Sequence, residues 1–386
     1  MRPLLFLLGI LLLIVPEILR VYYIMPFPGS QEDAATDLQQ VKIAYWLHTN
    51  IWWLRLIGLA LIIGPCLHYI RHGNGWKRLA VVVLVALAAT VFYLFNFKFM
   101  ADAMFLPVEH KAMVPAKLND ANAHDLVIAM ERNGDARAYP IELIGYHHQV
   151  LDTIGGEAVM VTYCTVCRTG RAFSPVVNGE PETFRLVGMD HYNAMFEDSR
   201  TRSWWRQATG ECIAGPLKGR VLAEVPSQQM TLAEWSSAHP NTLVLQPDPS
   251  FLDQYAGLKD YDEGTVASSL EGRDTASWQP KSWVVGVVHN GLARAYDWND
   301  LMGTPRYTMA DPGASPEHLT LDTLGGDTIC VVVNDAGGFK VSRCAVRHED
   351  LLDMGDGASQ NQYVQKETVP AYQEFWHSWR TFHPNT

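Results

Sequence analysis

Three apolar stretches in the first hundred residues constrain this chain more than any other feature. They are "PLLFLLGILLLIVPEILRVYYIM" (3–25), "IWWLRLIGLALIIGPCLHYI" (51–70) and "LAVVVLVALAATVFYLF" (79–95). Each approaches the roughly 20 residues that cross a bilayer as a helix. Leu4 to Val15 behind Arg2 has the length of a signal-peptide core. No small-x-small cleavage site follows it, and apolar residues resume beyond Glu17 and Arg20, so a retained helix kinked at Pro16 is expected.

The charges beside the spans set an orientation. "RHGNGWKR", between spans two and three, holds Arg71, Lys77 and Arg78, whereas the link between spans one and two has Lys42 against Glu32, Asp33 and Asp37. The basic link is therefore expected in the cytoplasm. That places the N-terminus inside and everything after about residue 97 in the periplasm or outside the cell. The expected location is the inner membrane, with the lipid bilayer as one partner. A net charge of −11 argues against nucleic acid as another.

Five of the six cysteines lie in this outward part, where disulfides persist. Five is odd, so one thiol at least is free, metal-bound or paired with another molecule. Cys330 and Cys344 form a disulfide if they end on adjacent strands.

Two stretches of the outward part read alike. "LVIAMERNGDARAYP" (126–140) parallels "WVVGVVHNGLARAYD" (283–297), and "DTIGGEAVMVTYC" (152–164) parallels "DTLGGDTICVVVN" (322–334). "EWSSAHPNT" (234–242) parallels "HSWRTFHPNT" (377–386), each with a tryptophan, Trp235 or Trp379, ahead of the histidine. Three matching blocks in one order point to an internal duplication. Short Val- and Thr-rich runs between Asn-Gly and Gly-Gly pairs predict hairpins. Helices are expected near "MTLAEWSSAH" and "VPAYQEFWHSWRTFH". The expected fold is α+β, with a mainly antiparallel β soluble part built from two related units behind three transmembrane helices. The boundaries read as a membrane anchor (1–99), a linker (100–123), a first repeat (124–245), a connecting loop (246–282) and a second repeat (283–386).

The blocks differ where chemistry is concentrated. Copy one is longer between its aspartate and its HPNT histidine, and carries "VTYCTVCRTG" where copy two has Asn334 and Asp335. Around Cys164 and Cys167 it offers His147, His148, His191 and Met195. Thiolate, imidazole and thioether are soft donors that suit copper, with zinc also compatible with sulfur and nitrogen. A structural disulfide and a redox pair remain open for the same CxxC. A thioredoxin-type pair would open a helix, and "RTGRAFSPVVNG" is not a helix start. If residues 147 and 148 lie on a strand, only one of the two histidines faces a site. Trp204, Trp205 and Arg206 read as core with a cation–π contact, or as a wall for docking a partner. Cys212 reads as a ligand, a resolving thiol or a buried residue.

The segments "VTYCTVCRTGRAF", "SWWRQATGECIAGPLKG" and "TLAEWSSAHPNTLVL" together resemble the DUF3179 family, a family of unknown function. The resemblance covers most of residues 124–245. It implies that Cys164 and Cys167 are the site, and implies neither an activity nor a metal. Thr165-Val166 stands where the family usually has Pro-Leu, and "MDHYNAMFED" departs from the commoner asparagine-serine version.

These residues lead to one expectation and two alternatives. The first is a membrane-anchored periplasmic copper protein that transfers electrons or delivers metal to a neighbouring inner-membrane or periplasmic protein. The alternatives are an accessory subunit with the CxxC as a disulfide staple, its lateral surface marked by Trp52, Trp53 and Arg55, and a thiol- or metal-dependent oxidoreductase. Enzymatic motifs of the GxSxG, P-loop, HExxH or GxGxxG kind are absent from the sequence.

Overall fold

A computed structural model describes residues 2–27, 31, 37–259, 261–266, 268–304, 306–307, 317–346 and 363–386. Glu32 and Asp33 of the first link lie outside them. The chain divides into two compact units, and the division is not sequential. The first unit joins Met1–Leu106 to Glu182–Arg206 and Glu211–Val221; the second comprises Pro107–Pro181, Gln207–Gly210 and Leu222–Thr386. Part of the expected first repeat thus belongs with the N-terminal helices.

In the first unit, α1 (Arg2–Tyr22), α2 (Asp37–His72) and α3 (Gly75–Phe97) are long and apolar enough to cross a membrane. Asn74 caps α3 by accepting from Lys77 N at 3.1 Å. One polar cluster ties the three helices together. Glu17 accepts from Arg20 at 3.1 Å and from Arg55 at 2.6 Å, and Asn96 Oδ1 accepts from both arginines at 2.6 and 2.7 Å. Arg55, read as marking the lateral surface of an accessory subunit, is buried against this chain's own Glu17.

At about 1.5 Å per residue the 36 residues of α2 exceed a bilayer's apolar thickness of about 30 Å. Its first turns pack instead on a four-stranded antiparallel sheet, Phe184–Asp190, Asn193–Asp198, Trp204–Arg206 and Cys212–Ala214. Tyr45 meets the Trp204 ring edge-on at 5.1 Å, and Val41, Ala44, Val187, Met195 and Ile213 complete this core. Trp204 and Trp205 are buried and donate to Glu197 and Asp198, so they act as core and not as a docking wall.

The second unit is a set of small, mostly antiparallel sheets. Its labelled strands are β1 (Leu126–Arg132), β2 (Asp135–Pro140), β3 (Gln149–Ile154), β4 (Glu157–Cys164), β5 (Thr169–Phe173), β6 (Leu243–Leu245), β7 (Trp283–His289), β8 (Leu292–Asp297), β9 (Glu317–Leu324), β10 (Asp327–Val333), β11 (Phe339–Val346) and β12 (Ala371–Phe375). Its labelled helices are α4 (Ile141–His147), α5 (Leu232–Ala238) and α6 (Trp376–Phe382). Asn133-Gly134 and Asn290-Gly291 turn β1 into β2 and β7 into β8 with both residues left-handed, which suits the strand twist.

The matched blocks share their local contacts. Tyr139 donates to Asp152 at 2.7 Å and Tyr296 to Asp322 at 2.9 Å; Trp235 stacks on His239 at 3.8 Å and Trp379 on His383 at 4.0 Å. Cys330 of β10 and Cys344 of β11 form a disulfide.

Two expected connectors contribute to packing. Met113–Pro115, in the expected linker, pairs with β6, and Phe251 and Tyr261, in the expected loop, are buried. Of the expected C-terminal helix, Ala371–Phe375 forms strand β12 and only Trp376–Phe382 is helical.

Candidate thiolate site

β4 is buried from Val159 onward and delivers Cys164 as its last residue. A tight turn over residues 165–168 closes with Arg168 left-handed (φ 54°), and β5 returns alongside, pairing Thr169 with Cys164. The CxxC thus spans a hairpin turn and opens no helix, as "RTGRAF" implies. Cys164 and Cys167 are both wholly buried, and the disulfide in the described residues joins Cys330 to Cys344. The Sγ of Cys167 lies 3.7 Å from the Cys164 carbonyl oxygen.

The third member comes from α4. Residues 147 and 148 are not on a strand: α4 ends at His147, and His148 caps it in the left-handed region (φ 61°) with its N–H on Ile144 O at 2.8 Å. The His148 carbonyl accepts from Tyr163 N at 3.0 Å, which sets the imidazole beside the end of β4. Its Nδ1 lies 3.2 Å from the Tyr146 carbonyl, a contact only a protonated Nδ1 can make, and the ring hydrogen-bonds Cys164.

The two thiols are electrostatically unequal. Burial opposes a charged Cys164, yet hydrogen bonds from Cys167 and His148, with the imidazole's charge, hold it well below the usual thiol range. Burial, followed by the hydrogen bond and charge of Cys164, pushes Cys167 well above it. Of the two, Cys164 therefore ionises first and Cys167 keeps its proton longer.

The turn is clamped from several sides. Arg168 lies over the Trp283 ring at 3.8 Å, donates to Gln373 Oε1 at 2.9 Å, and donates to the carbonyls of Tyr261 and Asp262 at 3.2 Å each. Tyr261 donates to Thr165 O at 2.8 Å, and Phe375 N to Cys167 O at 2.9 Å. His377 hydrogen-bonds the Val166 backbone, and burial pushes it down to about 4, so it is neutral at physiological pH. Arg171 pairs with Glu374 one residue layer away. Trp283 and Asp262 also line a cleft of about 1130 Å³.

The other expected ligands lie elsewhere. The His147 Nε2 is 2.6 Å from the Tyr255 hydroxyl, and its ring packs against Phe251. His191 and Met195 belong to the first unit, whereas the cysteines belong to the second. His191 sits at a hairpin tip, its Nδ1 2.7 Å from an Asp190 carboxylate that also binds Arg206. Met195 is core. Cys212 is buried in the first unit, its thiol pushed up to about 11 by burial, so it is not a reactive thiol.

Among the described residues no group of three or more His, Cys, Asp or Glu side chains is arranged to hold a metal ion. Of the expected ligands, Cys164 and Cys167 share one turn and His148 lies beside the end of β4, in an arrangement that does not itself form a metal cluster. Sequence reasoning passed over Arg168, Tyr261, Gln373, Phe375 and His377. Their clamping role depends on contacts between distant parts of the chain, which no local pattern announces.

The family model described as "Protein of unknown function (DUF3179)" matches residues 107–386, well over half of the chain. No curated protein and no solved structure matches it.

Proposed function

The chain belongs to the DUF3179 family, and from that premise we propose that it is a membrane-anchored thiolate protein that binds a soft metal ion, monovalent copper, through Cys164 and Cys167 with His148 as third donor. One observation carries this reading: the buried Cys164, its thiol held below the usual range, lies beside Cys167 and an imidazole whose Nδ1 lies 3.2 Å from a backbone carbonyl. Metal-binding histidines are characteristically fixed in this way, one nitrogen on a carbonyl and the other left for the metal. Two sulfurs with one imidazole form a soft set that favours monovalent copper over hard cations. Loading displaces the Cys167 proton and any proton on the ring nitrogen that takes the metal, so uptake is expected to strengthen with rising pH.

The full burial of both sulfurs favours a small ion over a macromolecular thiol partner, because neither sulfur is open to attack by another protein's disulfide. The three apolar helices support anchoring in the inner membrane, and the basic link supports a periplasmic face for the thiolate site. Electron transfer or metal delivery to a membrane partner is the role that fits. The clamped turn favours electron transfer, since a site that need not reorganise can change oxidation state with little cost.

A second reading is a dithiol–disulfide couple, favoured by the inequality of the thiols, one lowered and one raised. Metal analysis after loading with cuprous ion against a competing chelator separates the two. The copper reading expects about one ion per chain in the wild type and none in Cys164→Ser. Failure of the wild type to retain copper, with reversible loss of two free thiols under mild oxidant, would replace it with the couple.

A further inference from the structure

The cleft of about 1130 Å³ beside the clamped turn carries unpaired charge of both signs in its lining. We propose that it binds a short peptide with both termini free, the carboxylate towards Arg273 and the ammonium towards Asp125, Glu142 and Asp262. The inference stands apart from the thiolate reading and needs no metal.

The basic side is built around Trp283, the first residue of β7. Arg168 lies over its ring at 3.8 Å and Arg273 over the same ring at 4.0 Å. Both guanidinium groups bond only to neutral acceptors: Gln373 and two backbone carbonyls for Arg168, and Asn299 Oδ1, at 2.6 Å, for Arg273. Among the described residues no carboxylate pairs with either of them. Two like charges withdrawn from water without a counter-ion are costly to hold, and the ring offsets only part of that cost. Donors are also left over. Arg273 Nε and Trp283 Nε1 find no hydrogen-bond partner, although Trp283 is only 3% exposed. A buried indole N–H normally has an acceptor. A carboxylate is the group that answers a guanidinium and a neighbouring N–H together.

The acidic side comes from other parts of the same unit. Asp125 precedes β1, Glu142 lies in the first turn of α4, and Asp262 belongs to the segment between the two blocks; all three are half-buried and line the cleft. Asp262 Oδ2 accepts from Leu126 N at 2.8 Å, whereas its Oδ1 is buried without a partner. Burial, with Glu142 and Asp125 adding to it, pushes the Asp262 carboxyl up to about 7 against the pull of Arg168. An ammonium among the three carboxyl groups relieves that crowding and supplies the missing donor.

A simple anion entering here meets carboxylates, and a simple cation meets guanidinium groups. A zwitterion satisfies both sides. The volume lies above the usual span of about 300–1,000 Å³ for small-ligand sites, so it suits a peptide better than a single amino acid. Leu143, Trp298 and Met302 give its side chains an apolar surface.

The test titrates the full chain in detergent micelles with leucyl-phenylalanine. Tryptophan fluorescence reports binding, corrected for empty micelles, since Trp283 and Trp298 both line the cleft. The N-acetylated dipeptide and the C-terminal amide keep the same side chains and each remove one charge. Saturable binding of the free dipeptide is expected, weakened at least about tenfold by either block. Arg273→Gln should weaken the free and acetylated dipeptides at least about fivefold and leave the amide unaffected, a coupling that a purely structural role for Arg273 does not produce. If that variant does not fold, the comparison of the three peptides on the unaltered chain decides alone. No saturable signal from the free dipeptide, or equal binding of either blocked form, would overturn the proposal.

Discussion

The Nδ1 of His148 lies 3.2 Å from the carbonyl oxygen of Tyr146, two residues back in the same chain reversal. The contact depends on His148 being left-handed at the end of α4, a conformation that non-glycine residues adopt only when their surroundings impose it. It turns the ring so that it meets Cys164. Replacing His148 with alanine should therefore act on the thiolate. Absorbance near 240 nm, which reports thiolate, should appear at a lower pH in the wild type than in His148→Ala. Identical titrations would show that the imidazole does not stabilise Cys164.

Stability should depend on pH in two opposed limbs. Cys164 has a folded pKa below its unfolded value of about 8.5, so below 8.5 the unfolded state binds the extra proton and stability rises with pH. The gain is lost as pH falls through the folded pKa. Cys167 is raised, so its contribution is present below about 8.5 and declines as pH rises towards its folded pKa. Denaturant midpoints of the reduced protein should peak near pH 8 to 9. Cys167→Ser should remove the falling limb, and a flat profile in both proteins would count against the assigned charges.

Arg168 holds the turn through three hydrogen bonds and a stacked tryptophan while wholly buried. Arg168→Ala should cost about 3 kcal/mol or more, because it leaves the Asp262 carbonyl without this donor and a cavity beside the Trp283 ring. Arg168→Lys should not restore the loss, since an ammonium cannot make the planar forked contact. Urea unfolding measures the cost, and faster reaction of Cys164 with a thiol reagent should accompany it.

How legible all this is in the sequence depends on range. The hairpins at Asn133-Gly134 and Asn290-Gly291 follow from local turn chemistry, and the three spans follow from length and composition. The Cys330–Cys344 disulfide depends on strand adjacency, which the pairing of β10 with β11 supplies. His191 and Met195 read as ligands because they follow the CxxC in the chain. The segment from 182 belongs to the unit of the N-terminal helices, where Trp204 packs on Tyr45, and the CxxC to the other unit. The role of Tyr261 was hidden for the opposite reason. Its segment has a loop's composition, and only the buried Thr165 carbonyl shows that one of its side chains is needed.

Gly286 gives a test of the second block. A Cβ there would fall 2.1 Å from the Trp379 ring, while the matching position in the first block is Ala129. Gly286→Ala should destabilise the protein by about 1–3 kcal/mol through overpacking. Thermal unfolding would register it, and an unchanged midpoint would show that Trp379 can retreat.

Glu17 tests the helix cluster, since it accepts from both Arg20 and Arg55. Glu17→Ala leaves two buried arginines beside one another without a counter-ion, a loss of about 3–5 kcal/mol. The yield of monodisperse protein in mild detergent should fall sharply, and Glu17→Asp should recover part of it. Equal yields would mean that the spans hold together by apolar packing alone.

X-ray absorption at the copper edge of cuprous-loaded protein tests the central claim most directly. The account predicts a copper ion with two sulfur neighbours and the scattering pattern of one imidazole, the imidazole pattern disappearing in His148→Ala. A spectrum with nitrogen and oxygen neighbours only, or one unchanged in Cys164→Ser, would contradict it.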